Sequence, residues 1–113
     1  MMYKLVEAVK ELVREELARA SEQHGPDFHS LHEAYAVLLE EIEETKQEIG
    51  NLNFDAQHMW SAVRHDNHVM FKTVADAALA HAINAASEAI QVAAVAHKTL
   101  NTVDRYEKEM QQK

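Results

Sequence analysis

The sequence predicts an all-α bundle of three or four helices, with two long central antiparallel helices and with oligomerisation completing the bundle. Two Gly and one Pro among 113 residues leave few places where the chain can turn. Apolar residues also recur at helical spacing through three long stretches. A chain of this length forms one domain, which we assign to residues 1–113, and its modest core favours self-association.

The first stretch, residues 1–20, is predicted to be a packing or dimerisation helix. Its apolar residues recur every three or four positions, with Lys and Glu between them. They are Leu5, Val6, Val9, Leu12, Val13, Leu17 and Ala20. Gly25 and Pro26 then end the helix.

The second helix is predicted over residues 27–65. Ser30 and Glu33 have the spacing of a capping box, which marks its start. Its core-facing side is predicted to carry Leu31, Tyr35, Leu38 and Ile42. Because Gly50 and Asn51 lower helix propensity, we expect a kink or a short break there. A polar run from Arg64 to His68 forms the next turn.

An acidic cluster follows the apolar face of the second helix. Glu41, Glu44 and Glu48 share one stripe beside the core, whereas Glu40 and Glu43 point to solvent. Like charges in such a place repel one another unless a cation or a basic partner neutralises them. A hard divalent metal ion is the candidate partner, and a solvated acidic face is the alternative.

The third helix is predicted over residues 69–106, and half of the residues from Ala75 to Ala96 are alanine. Small side chains let neighbouring helices approach closely, which indicates a central position in the bundle. The few polar residues form one stripe, made of His81, Asn84, Glu88, Gln91 and Lys98. An isolated carboxylate in this setting is costly unless it is paired or bound to metal.

The polar residues of the two long helices can face each other if these helices pack antiparallel. Glu41 and Glu44 would then meet Glu88 and Gln91, so that three carboxylates and an amide surround one point. Such an all-oxygen site suits Mg²⁺, or Mn²⁺, rather than zinc. Structural hydrogen bonds are the alternative for Asn84 and Gln91, and a surface charge is the alternative for Lys98.

Composition excludes several classes of function. The chain has no cysteine, which removes disulfides and thiol catalysis and is typical of a reducing cytoplasm. Its net charge is −8, with 19 acidic and 11 basic residues and no basic stripe, so we expect no nucleic-acid partner. No apolar run of membrane-spanning length and no signal peptide is present, and we expect a soluble cytoplasmic protein without a membrane partner.

Two motifs resemble those of the MazG-like all-α nucleoside triphosphate pyrophosphatases, in particular small phage-type and prophage-type members. Residues 40–44, with the sequence EEIEE, resemble the family's EExxE motif, and residues 87–94 resemble its second acidic helix. The lead-in at residues 32–37, with the sequence HEAYAV, is also similar to phage-type members. Together these stretches cover about half of the chain.

The resemblance implies specific roles for the acidic residues. Glu41 and Glu44 match the metal-binding pair, Glu40 matches the leading Glu, and Glu88 matches the first acid of the second motif. Gln91 stands where the family usually has Asp, and it can still offer one oxygen to the metal.

The implied reaction is hydrolysis of a nucleoside triphosphate to the monophosphate and pyrophosphate. Glu40 or Glu44 would accept the proton of the attacking water. Lys98 and Asn84 are the candidate substrate-binding residues, and Lys98 could touch a phosphate. The family commonly forms dimers or tetramers, so a homodimer or homotetramer is expected.

Other classes of function remain as alternatives. A non-catalytic helical oligomer, such as a phage accessory or regulatory protein, would agree with the Gln91 departure. A di-iron bundle would need Glu-x-x-His pairs, and no Glu in the chain has a His three residues later. His65 and Asp66 invite comparison with HD-type phosphohydrolases, but one dipeptide beside a turn is weak support. Trp60 is expected in the core or an interface, with base stacking as the alternative.

Overall fold

The computed structural model describes residues 2–112, which form three helices and no strand. These helices are α1 (Met2–His24), α2 (Leu31–Arg64) and α3 (His68–Gln111). The prediction of an all-α fold is therefore confirmed. Residues 1 and 113 of the predicted domain lie outside the described part of the chain.

Helix α2 runs through Gly50 without interruption, so of the two expected alternatives the break is wrong. A glycine inside a helix costs only about 1 kcal/mol relative to alanine. The half-buried side chains of Glu48 and Leu52 flank this position, and the Asn51 amide donates a hydrogen bond to Glu48 at 3.5 Å. These neighbouring contacts outweigh the weak local propensity.

The ends of the helices are defined by side-chain and glycine caps. The Glu33 N–H donates to Ser30 Oγ at 3.1 Å, which confirms the cap, while the Glu33 carboxylate accepts from the N–H of His29, one residue before the cap, at 3.2 Å. Asn67 Oδ1 accepts from the Met70 N–H at the start of α3. Gly25 ends α1 with a φ of 87°, a left-handed conformation that glycine adopts without steric cost.

The chain divides into two compact units. The terminal unit contains Met1–Ile42 and Ala89–Lys113, and the central unit contains Glu43–Glu88. Helices α2 and α3 each contribute to both units, whereas α1 belongs to the terminal unit alone.

In the terminal unit, α3 holds the loop that joins α1 to α2. Thr102 Oγ1, at 1% exposure, accepts from the Phe28 N–H and donates to the Lys98 carbonyl, both at 2.9 Å. Arg105 donates to the Phe28 and His29 carbonyls and forms an ion pair with Asp27 at 3.2 Å. These bonds hold the buried Phe28 ring under α3.

The central unit is a helical hairpin with a core of small side chains. Ala62 and Ala85 are buried there. Asp55 on α2 pairs with His81 on α3, while Glu44, earlier on α2, is next to Glu88, later on α3. This reversed order confirms that the two segments are antiparallel.

The least exposed positions of α2 recur at alternating spacings of four and three residues, as in a coiled-coil seam. The series contains Ala34, Leu38, Glu41, Thr45, Glu48, Leu52, Asp55, Met59 and Ala62, and four further half-buried positions lie beside it, namely Val37, Ile42, Asn51 and Ser61. The prediction that Leu31 and Tyr35 face the core is wrong, because Leu31 is 42% exposed and Tyr35 is 67% exposed. Many residues of the observed seam are polar. The apolar residues of α2 therefore predicted a face beside the seam rather than the seam itself.

Candidate functional site

Glu44 and Glu88 form the centre of the predicted acidic site. Both belong to the central unit, on α2 and α3, and a carboxylate oxygen of one lies within 4.8 Å of a carboxylate oxygen of the other. Glu88 is half-buried and Glu44 is exposed. The antiparallel hairpin therefore brings together two acids that are far apart in the sequence.

The surroundings of Glu88 disfavour its ionised form. Desolvation raises the pKa of Glu88, and the charge of Glu44, a hydrogen bond with Glu44 and the charge of Glu48 raise it further. Both carboxyl groups carry negative charge when ionised, so they repel each other at this close approach. Positive charge at this place would reduce that repulsion.

Glu41 lies one helical turn before Glu44 on α2 and is half-buried in the seam. Two oxygens bound to one Mg²⁺ at about 2.1 Å lie at most about 4.2 Å apart. Within the central unit, a small rotation of the exposed Glu44 side chain would bring its oxygen to that separation from a Glu88 oxygen.

Gln91 has a partner that sequence reasoning missed. Its side-chain amide forms a hydrogen bond with the carboxylate of Glu16 on α1, within the terminal unit. The Glu16 carboxylate also bonds to Arg19. Arg19 lowers the pKa of Glu16 and the Gln91 bond acts in the same direction, while desolvation opposes both. The Gln91 side chain therefore contributes to holding α1 against α3.

The remaining predicted site residues are spread along α2 and α3. Glu40 and Asn84 are exposed, and Asn84 lies about one turn before Glu88 on α3. Lys98 is only 8% exposed, with its Nζ 4.4 Å from the centre of the Phe28 ring. Lys98 follows Glu88 by ten positions on α3 and belongs to the terminal unit.

A second polar pair, Asp55 and His81, was also missed. His81 Nδ1 donates to Asp55 Oδ2 at 2.5 Å, and Asp55 is only 7% exposed. The sequence contains a pattern that predicts the position of Asp55, because Glu41, Glu48 and Asp55 follow one another at intervals of seven residues. A repeat of seven places residues on one helix face whether they are apolar or acidic.

No family model, curated protein or solved structure matches the chain. The resemblance to MazG-like enzymes therefore rests on its motif residues alone. Between residues 2 and 112, no helix combines the length and the apolar character that a membrane span requires.

Proposed function

We propose that the protein is a metal-dependent nucleoside triphosphate pyrophosphohydrolase that releases the monophosphate and pyrophosphate. In this proposal Glu41, Glu44 and Glu88 bind Mg²⁺, with Mn²⁺ as a substitute. The supporting observation is the crowding of half-buried Glu88 against Glu44, which raises the pKa of Glu88. A divalent cation would relieve this repulsion and would favour the ionised carboxylate.

The other motif residues take supporting roles in the proposal. Bound metal would neutralise phosphate oxygens of the substrate. Glu40 or Glu44, both exposed on α2, would accept a proton from the attacking water. Asn84 would donate its amide to the substrate from the turn before Glu88.

Gln91 and Lys98 differ in their relation to this proposed site. The Gln91 amide group bonds to Glu16, which leaves the Gln91 carbonyl oxygen available as a metal ligand. Lys98, predicted to touch a phosphate, contacts the Phe28 ring within the terminal unit, and the proposal gives it no role in the reaction.

The test is pyrophosphate release from a panel of ribo- and deoxyribonucleoside triphosphates with Mg²⁺ or Mn²⁺. Glu41→Gln and Glu88→Gln remove one proposed ligand charge each, and Glu43→Gln removes an exposed charge of the same helix as the control. We expect release by the wild type and the control, and loss of at least about tenfold in either ligand variant, with helical circular dichroism unchanged. A folded wild type that releases no pyrophosphate from any nucleotide would refute the proposal.

Self-association as a homodimer or homotetramer is part of the proposal. Large apolar side chains are exposed in the central unit, among them Phe54, Trp60, Leu79 and Ile83. Every described residue of α1 is at least partly exposed, including Leu5, Val6 and Val9. Burial of these exposed apolar side chains favours an interface with further copies of the chain. Nucleotide substrates are intracellular, so the proposed location is the cytoplasm.

The second candidate function is a non-catalytic helical oligomer that keeps this fold, as a phage accessory or regulatory protein would. The bond between Gln91 and Glu16 favours it, because that bond gives Gln91 a structural role. A multimer in sedimentation experiments, without pyrophosphate release and without stabilisation by Mg²⁺, would select this candidate.

A further inference from the structure

A cavity of about 320 Å³ lies inside the terminal unit, apart from the acidic residues of the central unit. Its walls come from α1, the loop after α1, the start of α2 and the last part of α3. Apolar side chains form most of the lining, among them Leu17, Val37 and Val95. This volume lies at the small end of the range for small-molecule sites.

Lys98 brings an ammonium group to this apolar cavity. The residue is only 8% exposed, and none of the ion pairs between residues 2 and 112 includes it. Its Nζ lies 4.4 Å from the centre of the Phe28 ring. A cation–π contact is a weaker partner for an ammonium group than a carboxylate is.

Arg105, another cationic residue of α3 in the same unit, has several partners. Its guanidinium has an ion pair with Asp27 and hydrogen bonds to two carbonyl groups of the loop. Lys98, which is more deeply buried, has only the face of an aromatic ring. Among the described residues Lys98 has no ion-pair partner, so its ammonium group can pair with an anionic ligand in the cavity.

We propose that this cavity binds a small amphipathic monoanion, with its single charge at Lys98 and its apolar body against Leu17, Val37 and Val95. Glu16 and Glu33 also line the cavity, and both already have partners in Arg19 and the His29 N–H. Their negative charge disfavours a multiply charged phosphate ligand. Gln91 also lines this cavity, but binding of the anion through Lys98 does not depend on the proposed nucleotide chemistry.

The test uses octanoate as the probe, with backbone amide NMR shifts on the full chain as the readout. Neutral octanol, cationic octylamine and inorganic phosphate are the matched probes. We expect saturable binding of octanoate with shifts at Leu17, Ala20 and Val95, and binding at least about tenfold weaker for octanol. Octylamine and phosphate should produce no saturable shifts at these residues.

Lys98→Met removes the ammonium group but keeps an unbranched side chain, and Lys108→Met removes an exposed charge of α3 as the control. Octanoate should bind Lys98→Met at least about tenfold more weakly and should bind the control as it binds the wild type. Equal affinity of octanoate and octanol for the wild type would overturn the proposal, even if Lys98→Met failed to fold. So would shifts confined to the exposed apolar residues at the start of α1, or unchanged affinity in Lys98→Met.

Discussion

Replacing Glu88 by Gln should stabilise the protein at neutral pH in the absence of divalent metal. The amide keeps a donor for the hydrogen bond to Glu44 and removes one of two neighbouring negative charges. Two unit charges 4.8 Å apart repel by about 1 kcal/mol in a water-like dielectric, which applies because Glu44 is exposed. For a domain of this size that corresponds to a rise in Tm of about 4 °C.

The gain in stability of Glu88→Gln over the wild type should increase with pH. The pKa of Glu88 is raised in the fold, so the folded state keeps a proton that the unfolded state releases above its ordinary pKa of about 4.3. Wild-type stability therefore falls as pH rises through the folded pKa of Glu88. The difference between Glu88→Gln and the wild type should vanish near pH 4 and be largest at neutral pH.

Thermal unfolding followed by circular dichroism, between pH 4 and pH 8 with chelator present, measures this effect. Glu43→Gln, which alters an exposed charge on α2, should show a smaller change at every pH. Adding Mg²⁺ should raise the Tm of the wild type more than that of Glu88→Gln. A Glu88→Gln protein that is no more stable than the wild type at neutral pH would refute the argument that like charges are crowded at Glu88.

Three further substitutions test the packing of the two units by urea unfolding. His81→Ala should lower the free energy of unfolding by about 1–3 kcal/mol, because it leaves the buried Asp55 carboxylate without its partner. An unchanged urea midpoint would contradict a stabilising role of the Asp55–His81 pair. Thr102→Val should also lower the free energy of unfolding by about 1–3 kcal/mol, because the Phe28 N–H loses its acceptor. The same variant should be cleaved faster in the loop between α1 and α2. Cleavage at the wild-type rate would contradict this role of Thr102. Gly25→Ala should lower the free energy of unfolding by about 1–2 kcal/mol because of its φ of 87°, since no atom lies within 4 Å of the added Cβ. An unchanged free energy of unfolding would contradict this strain argument.

Local signals in the sequence were sufficient to predict the helices and one of their caps. Scarce Gly and Pro, helical periodicity and the Ser30–Glu33 capping box depend on residues within a few positions of one another, and such interactions act before any tertiary contact forms. The same reasoning placed Glu41 and Glu44 on adjacent turns of one helix. It could also select Glu88, because an isolated carboxylate among alanines needs a partner.

Local pattern failed where polar residues occupy the packed seam. Tyr35 looked like a core residue, yet it is solvent-exposed, while Glu41, Glu48 and Asp55 lie on the less exposed face of α2. Hydrophobic periodicity finds a buried face only when that face is apolar. The repeat of seven residues would have been the better guide here.

By itself, the sequence determined which residues are helical and which carboxylates share a helix face, because both depend on neighbours along the chain. Only the tertiary structure decided that Glu88 meets Glu44, that Gln91 bonds to Glu16, and that Lys98 lines an apolar cavity. Each of these contacts joins residues far apart in the chain. Their formation depends on the rotation and register with which whole helices pack, and no short stretch of sequence specifies those two quantities.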